Sequence, residues 1–389
     1  MIVAYVLLDE LTSPGSGIYK FDDNLSMTLV EGGNIIPMIT IKNLNIPGYE
    51  EVIFCQDDEA GLKAIIAIHD TTLGPAVGGT RMLPYGTEDE ALADVLRLSR
   101  AMTYKAAAAG LDFGGGKAVI IGDARRDKSE KLLRAFGRFV ESFDGRFLTA
   151  EDVGTSPEDM RVIGQETEYA TCPPDIPEAN WQTSFITAFG IFRGIQASVM
   201  EMYGSDSLSG IRIAIQGIGK VGDKLARILH AEGAKLTIAD LDRSRLLAIS
   251  KELGAAVVEP HEIYQVDTDI LAPCALGGVL NDDIIPLLGC NIVAGAANNQ
   301  LADERHAEEL SKKGILYAPD YIINAGGLIS TLYDIGECDR QTVIHRTAEI
   351  YDRLRVIFDI ARLEKISTQV AADRMVEERI RQAKRDMAK

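Results

Sequence analysis

The segment that most constrains the fold is residues 211–240, IRIAIQGIGKVGDKLARILHAEGAKLTIAD. Its opening run of β-branched and apolar residues, 211–216, predicts a buried strand. Residues 223–229 then carry helical spacing, and 235–239 predict a second strand that ends at Asp240. Three more short apolar runs, 269–273, 291–295 and 315–319, alternate with helical segments. That alternation predicts a doubly wound parallel sheet, helices on both faces. Between the first strand and its helix lie Gly217, Ile218, Gly219, Lys220, Val221 and Gly222, the spacing G-x-G-x-x-G. In this context the loop reads as a dinucleotide site. The first glycine allows the tight turn, the second lets a pyrophosphate approach the helix N-terminus, and the third lets helix and strand pack closely. Asp240, 18 residues after the last glycine, is placed to accept hydrogen bonds from ribose hydroxyls. This favours NAD over NADP, although Arg243 and Arg245 are available to meet a 2′-phosphate. The bland alternative is a sheet of this kind that binds nothing.

A second constraint is residues 102–120, MTYKAAAAGLDFGGGKAVI. Lys105 and Lys117 stand twelve residues apart, with Gly114, Gly115 and Gly116 immediately before Lys117. The glycines are expected to let a ligand approach the backbone, and Lys117 to open a buried strand. Burial and a second lysine nearby both disfavour the ammonium form, which makes Lys117 a candidate general base. A phosphate loop is excluded, because Leu111 and Ala118 stand where that pattern needs Gly and Ser or Thr. A plain glycine turn beside an exposed lysine is the competing reading.

A chain of 389 residues exceeds the ~250–300 that one core supports, so two domains are expected. The net charge of −18 argues against nucleic acid or an anionic membrane as partner. Five scattered cysteines contain no C-x-x-C pair, and five histidines show no metal-binding spacing. Reduced thiols, a cytoplasmic protein and no metal site are therefore expected. The apolar run at 2–8 meets Asp9 and Glu10 at once and does not read as a secretory signal. No apolar stretch approaches the ~20 residues of a membrane span. Regular patterning begins near residue 38. A strand is expected at 63–68, and a helix from a Thr87–Glu90 capping box delivers Lys105 near its end. A helix from Asp127 and Glu130, a strand at 146–150 and a helix started by Ser156 and Pro157 follow. The proline-rich text at 172–180 marks the domain boundary. A further helix is expected over 187–202, and helices from 341 onward.

Several segments resemble the amino-acid dehydrogenase superfamily that includes the glutamate, leucine, phenylalanine and valine dehydrogenases. They are 62–82 (LKAIIAIHDTTLGPAVGGTRM), 102–123, 149–160 (TAEDVGTSPEDM), 215–222, 272–278 (APCALGG), 294–301 (AGAANNQL) and 318–328 (APDYIINAGGL). The leucine dehydrogenase branch is nearest, with a tryptophan dehydrogenase branch also near, over about residue 48 to the C-terminus. The resemblance implies reversible NAD-dependent oxidative deamination of an L-amino acid to a 2-oxo acid and ammonia. It implies that Lys105 binds the substrate carboxylate, that Lys117 is the base activating water, and that Asp152 exchanges protons with the amino group. Thr187 would touch the nicotinamide carboxamide, and Asn298 or Asn299 would help hold cofactor and substrate. Val77, Gly78, Leu328 and Thr331 would face the substrate. Val77 cannot pair with a γ-carboxylate, and a buried unpaired carboxylate is costly, so glutamate is disfavoured.

The expected organisation is an extension at 1–37, an α/β substrate-binding and oligomerisation domain at 38–180, and a Rossmann-type NAD domain at 181–345. Helices at 346–389 would pack back on the first domain, with the active site in a cleft between the two. At least a homodimer is implied. Residues 1–37 are expected to add little to the core, except that 2–8 suits an edge strand. Ala106 stands where the leucine branch has Asn, Phe185 replaces a usual Pro, and the loop at 173–182 is rewritten. These departures leave an aromatic amino-acid dehydrogenase, or a non-catalytic protein that binds NAD and an amino acid, as alternatives to branched-chain deamination.

Overall fold

The computed structural model describes residues 18–21, 27–31, 34–171, 183–334, 336, 338–387 and 389. The chain divides into two compact units, Met1–Asp175 with Ala383–Lys389, and Ile176–Gln382. The first holds β1 (Ile18–Phe21), β2 (Met27–Glu31), β3 (Asn34–Asn43), β4 (Glu51–Asp57), β5 (Leu62–Asp70), β6 (Ala76–Leu83), α1 (Glu88–Ala108), β7 (Gly114–Ile121), α2 (Glu130–Glu141), β8 (Phe147–Glu151) and α3 (Pro157–Ile163). Their sheet runs β1-β2-β3-β4-β5-β7-β6-β8. It is antiparallel as far as the β5–β7 pair, whereas β6 is parallel to both β7 and β8.

Period-two alternation sorts this sheet into two faces. Leu62, Ala64, Ile66 and Ile68 of β5 share a core with Ala118 and Ile120 of β7, under Leu132, Phe136 and Ile163 from α2 and α3. Ile65 and Ala67, with Val119, face the other way, onto Ala91 and Val95 of α1. Lys117 is two residues before Val119, so it belongs to the α1 face. The Thr87 side chain accepts from Glu90 N, but the Glu90 carboxylate reaches back to Gly86 N instead of completing the expected box. The complete capping box is at Ser156 and Asp159. Helix α2 is capped by Ser129, while Asp127 accepts from Asp123 N in the preceding turn.

Strands β1, β2 and the first four residues of β3 fall in the segment expected to add little. They continue the sheet outward through antiparallel backbone pairing up to β4. Their glycine-rich text lacks a side-chain period, and backbone pairing needs none. The strand proposed for 2–8 and the loop at 173–182 lie outside the described residues.

The second unit holds α4 (Thr183–Tyr203), β9 (Arg212–Gln216), α5 (Lys220–Ala231), β10 (Lys235–Ala239), α6 (Arg243–Leu253), β11 (Ala256–Val257), β12 (Ile270–Pro273), β13 (Ile292–Val293), α7 (His306–Lys312), β14 (Leu316–Tyr317), α8 (Asp320–Ile323), α9 (Gly326–Asp334), α10 (Arg340–Ala348), α11 (Ile350–Glu364) and α12 (Thr368–Met387). Its sheet is wholly parallel in the order β11-β10-β9-β12-β13-β14. This is the doubly wound order whose direction reverses between β9 and β12, where ligands of such sheets bind. The C-terminal helices differ from expectation. Helix α11 packs on α4 and α8, and only residues 383–389 group with the first unit, where Lys384 pairs with Asp70 at 2.9 Å. The apolar stripe Ile350, Leu354, Ile357 and Phe358 of α11 is what ties it there. Among the described residues no helix is long and apolar enough to cross a membrane.

Candidate active site

The α1 face of the first sheet gathers the candidate chemistry. Lys117 is the fourth residue of β7, not the first after a loop, because Gly114–Gly116 are themselves strand residues. Each glycine is needed by protein packing. A Cβ on Gly115 would stand 2.0 Å from Thr103 N of α1, one on Gly116 2.7 Å from the Phe147 ring, and one on Gly114 2.1 Å from Asp70 O. The triplet therefore brings helix and neighbouring strands against β7, which corrects the expectation of a ligand-accessible loop. The Thr103–Gly115 approach also sets the last turn of α1, with the half-buried Lys105, over the strand that carries Lys117.

Lys117 is 6% exposed, and its Nζ lies 2.5 Å from Asp152 Oδ2. Asp152 arrives one residue past the end of β8, and its backbone N–H is fixed by the Thr155 hydroxyl at 2.8 Å. Val77, Gly79 and Arg81 of β6 alternate onto this face; Gly78 does not, since its Cβ would strike Gly116 O. A Cβ on Gly79 would sit 3.1 Å from Lys117 Nζ, so the bare backbone there makes room for the amine. Burial drives the Lys117 pKa down, Asp152 opposes this, and the Arg81 guanidinium adds to the fall. The like charge beside Lys117 is thus Arg81, where the sequence pointed to Lys105. Burial pushes the Asp152 carboxyl up, but Lys117 and Arg81 outweigh it and hold it ionised below the usual carboxylate range. A buried amine with a weakened hold on its proton, touching an ionised carboxylate, is equipped to move protons in two directions.

In the second unit the glycine loop assumes three different geometries. Gly217 has φ +93°, and a Cβ there would lie 2.8 Å from Ala275. A Cβ on Gly222 would lie 2.0 Å from Gly217 O, so that glycine serves helix–strand contact. Gly219 has nothing within 4 Å and N-caps α5 without a side-chain hydrogen bond. The first-turn N–H groups of α5, at Lys220, Val221 and Gly222, are left for an anion. Asp240 accepts from Ile218 N at 2.6 Å and Asp242 N at 2.7 Å, which uses two of its roughly four acceptor sites. Arg243 pairs with Glu259, and Arg245 with Asp242.

Around the carboxyl ends of the strands, buried oxygens of Gln216, Gln300 and Asn324 have no hydrogen-bond partner among the described residues. Asn324, which the sequence reading passed over, donates to Asn298 Oδ1 at 2.9 Å. Asn298 and Asn299 are exposed, and the loop holding them is packed so closely that a Cβ on Gly277 would stand 2.4 Å from Asn298 O. Thr187 donates to Thr183 O at 2.8 Å, next to Gly327 at the start of α9. Leu328 and Thr331 are buried on α9, and the Thr331 hydroxyl donates to Leu328 O. Lys117 with Asp152, and Asn298 with Asn324, are in contact. Arg81 and Asp94 were missed; Arg81 lies within the quoted GGTR text, whereas nothing in the sequence around Asp94 marks it.

Residues 49–169 match the dimerisation domain of the Glu/Leu/Phe/Val dehydrogenases, and residues 237–385 match the Glutamate/Leucine/Phenylalanine/Valine dehydrogenase domain. The chain is 52% identical to the leucine dehydrogenase of Geobacillus stearothermophilus over 88% of its own length and 94% of that protein. It is 51% identical to the phenylalanine dehydrogenase of Lysinibacillus sphaericus over 86% and 89%. The crystal structure of L-tryptophan dehydrogenase from Nostoc punctiforme superposes with a TM-score of 0.78 at 50% identity, covering 87% of this chain and 97% of that one. With both domains matched and half the residues identical over most of each chain, the protein is an amino-acid dehydrogenase belonging to the Glu/Leu/Phe/Val dehydrogenase family.

Proposed function

We propose that this enzyme carries out the reversible, NAD-dependent oxidative deamination of a branched-chain L-amino acid to its 2-oxo acid and ammonia. The observation that carries the reading is the buried Lys117 amine in contact with Asp152, on the sheet face shared with Val77 and covered by the helix that bears Lys105. Gly217, Gly219, Gly222 and the first turn of α5 would hold the pyrophosphate, and the two remaining acceptor sites of Asp240 the ribose hydroxyls. The engagement of Arg243 and Arg245 with acids supports NAD over NADP. NAD held there would supply the acceptor for the hydride that leaves the substrate Cα. Lys105 fixes the substrate carboxylate by charge. Asp152, held ionised, takes a proton from the substrate ammonium group and so frees the nitrogen lone pair. Lys117, whose ammonium form burial disfavours, takes a proton as the neutral amine from the water that adds to the imino carbon. The proton on Asp152 returns to the nitrogen as the C–N bond breaks, and the hydroxyl proton released as the carbonyl forms passes back to the Asp152 carboxylate.

The residues proposed to face the substrate, taken within each unit by itself, support an aliphatic side chain. Val77 and Leu328 are buried and apolar, and the Thr331 hydroxyl is already spent on its own helix, so Thr331 can offer its methyl group. Because one methylene is worth only ~1–3 kcal/mol, leucine, isoleucine and valine would all be used. Ala106, fully buried and one residue past Lys105, favours the aromatic alternative by leaving more volume there than a larger side chain would. Rates of reduced-nicotinamide formation with leucine, valine, phenylalanine and tryptophan separate the two readings. Good tryptophan turnover beside none of leucine or valine would reject the branched-chain reading. No turnover of any would favour the non-catalytic one. Since the first matched domain is the family's dimerisation domain, a homodimer is proposed, and light scattering at micromolar concentration checks it.

A further inference from the structure

A second layer of charge lies behind the Lys117–Asp152 pair and has no part in the chemistry above. Arg81 Nε is 3.2 Å from Asp152 Oδ2, the same oxygen that meets Lys117, and Arg81 Nη1 is 3.0 Å from Asp94 Oδ2. Asp94 also accepts from the Tyr85 hydroxyl at 2.8 Å and from Arg97 at 2.7 Å. The side chains of Arg81, Asp94 and Asp152 are each less than one-fifth exposed. They come from β6, α1 and the end of β8, so the network ties together the three elements around Lys117.

We propose that Arg81 is a positioning residue for the lysine–carboxylate pair, stretched between Asp94 and Asp152 so that Asp152 presents a fixed oxygen to Lys117. This rests on the deamination reading above. A guanidinium keeps its charge at every working pH and offers donors in a planar fork, so it can hold two carboxylates at a set angle. Asp94 stops it from closing on Asp152 alone as a bidentate pair. The groups facing the Lys117 amine are then Asp152 from β8, Arg81 from β6 and Asp94 from α1, with Tyr85 and Arg97 behind Asp94. Asp152 and Asp94 favour the ammonium form of Lys117, and Arg81 disfavours it. Loss of Arg81 therefore leaves a pair that keeps its proton to higher pH and an Asp152 with one fewer restraint.

The test reads Lys117 directly. Trace acylation of its amine across a pH series, followed by peptide mass spectrometry, gives the titration midpoint in the wild type, Arg81→Met, Arg81→Lys and Asp94→Asn. Arg81→Met is expected to raise the midpoint by about one pH unit, Arg81→Lys to raise it less, and Asp94→Asn to lower it. Opposite shifts from two neighbours cannot arise from general loosening. The acid limb of the kcat/KM profile should move with each midpoint, a tenfold loss of rate per unit on that limb. An unchanged midpoint in Arg81→Met, or shifts of the same sign in Arg81→Met and Asp94→Asn, would overturn the proposal. If Arg81→Met does not fold, the sign of the Asp94→Asn shift decides. If the wild type oxidises no amino acid, the deamination reading fails while the labelling still reports on Arg81.

Discussion

Two glycine-rich stretches do opposite work in this molecule. In Gly114–Gly116 every missing side chain is filled by protein: backbone of α1, the Phe147 ring, and the carbonyl of Asp70. In the Gly217–Gly222 loop the middle glycine, Gly219, faces nothing within 4 Å. The first cluster lets secondary structure close over a lysine, and the second leaves backbone uncovered at Gly219, as the proposed cofactor site requires. A run of glycines thus announces close approach without saying what approaches. The neighbours decide, and they come from distant parts of the chain.

Gly115→Ala should show the larger effect. Its Cβ must displace the α1 backbone, at a cost of roughly 3 kcal/mol, read as a lowered midpoint in chemical denaturation. Gly219→Ala should leave stability within about 0.5 kcal/mol, because the backbone there has ordinary φ and open space. Its NAD affinity should instead fall on the order of tenfold, since the added methyl stands where a pyrophosphate must meet the loop. If the two variants behave alike, the contrast between the clusters is broken.

Asp240→Ala sharpens the ligand side of the contrast. NAD binding should weaken by about 1.5–3 kcal/mol, the worth of hydrogen bonds to a charged acceptor, and the preference over NADP should narrow. An unchanged preference in titration calorimetry would count against the ribose assignment. Thr331→Val should have the smallest effect. With the Thr331 hydroxyl turned onto Leu328 O, the ratio of kcat/KM for leucine to that for valine should change by less than about threefold. A larger change would mean that the hydroxyl faces the substrate.

The second sheet was legible because its signals are local. Strand, glycine spacing, helix and Asp240 fall within thirty residues, and each glycine has the geometry its position requires. Lys117 and Asp152 were found through their motifs, but their 2.5 Å contact depends on β7, β6 and β8 lying side by side, which spacing along the chain does not encode. Arg81 and Asp94 went unread for the same reason: each looks like an ordinary surface charge until β6 and α1 meet. Strands β1 and β2 were illegible because edge pairing uses backbone groups that every residue carries. The return of the C-terminal helices was misjudged because the apolar stripe of α11 shows that it packs, not against which partner.

The proposed division of labour puts proton transfer in the first unit and cofactor binding in the second. Lys117→Ala, assayed for turnover and for NAD affinity on the same preparation, tests it most directly. The predicted result is a loss of kcat of about 10²–10⁴-fold with NAD affinity unchanged. A comparable loss of NAD affinity, or substantial turnover without the lysine, would mean that the two roles are not divided in this way.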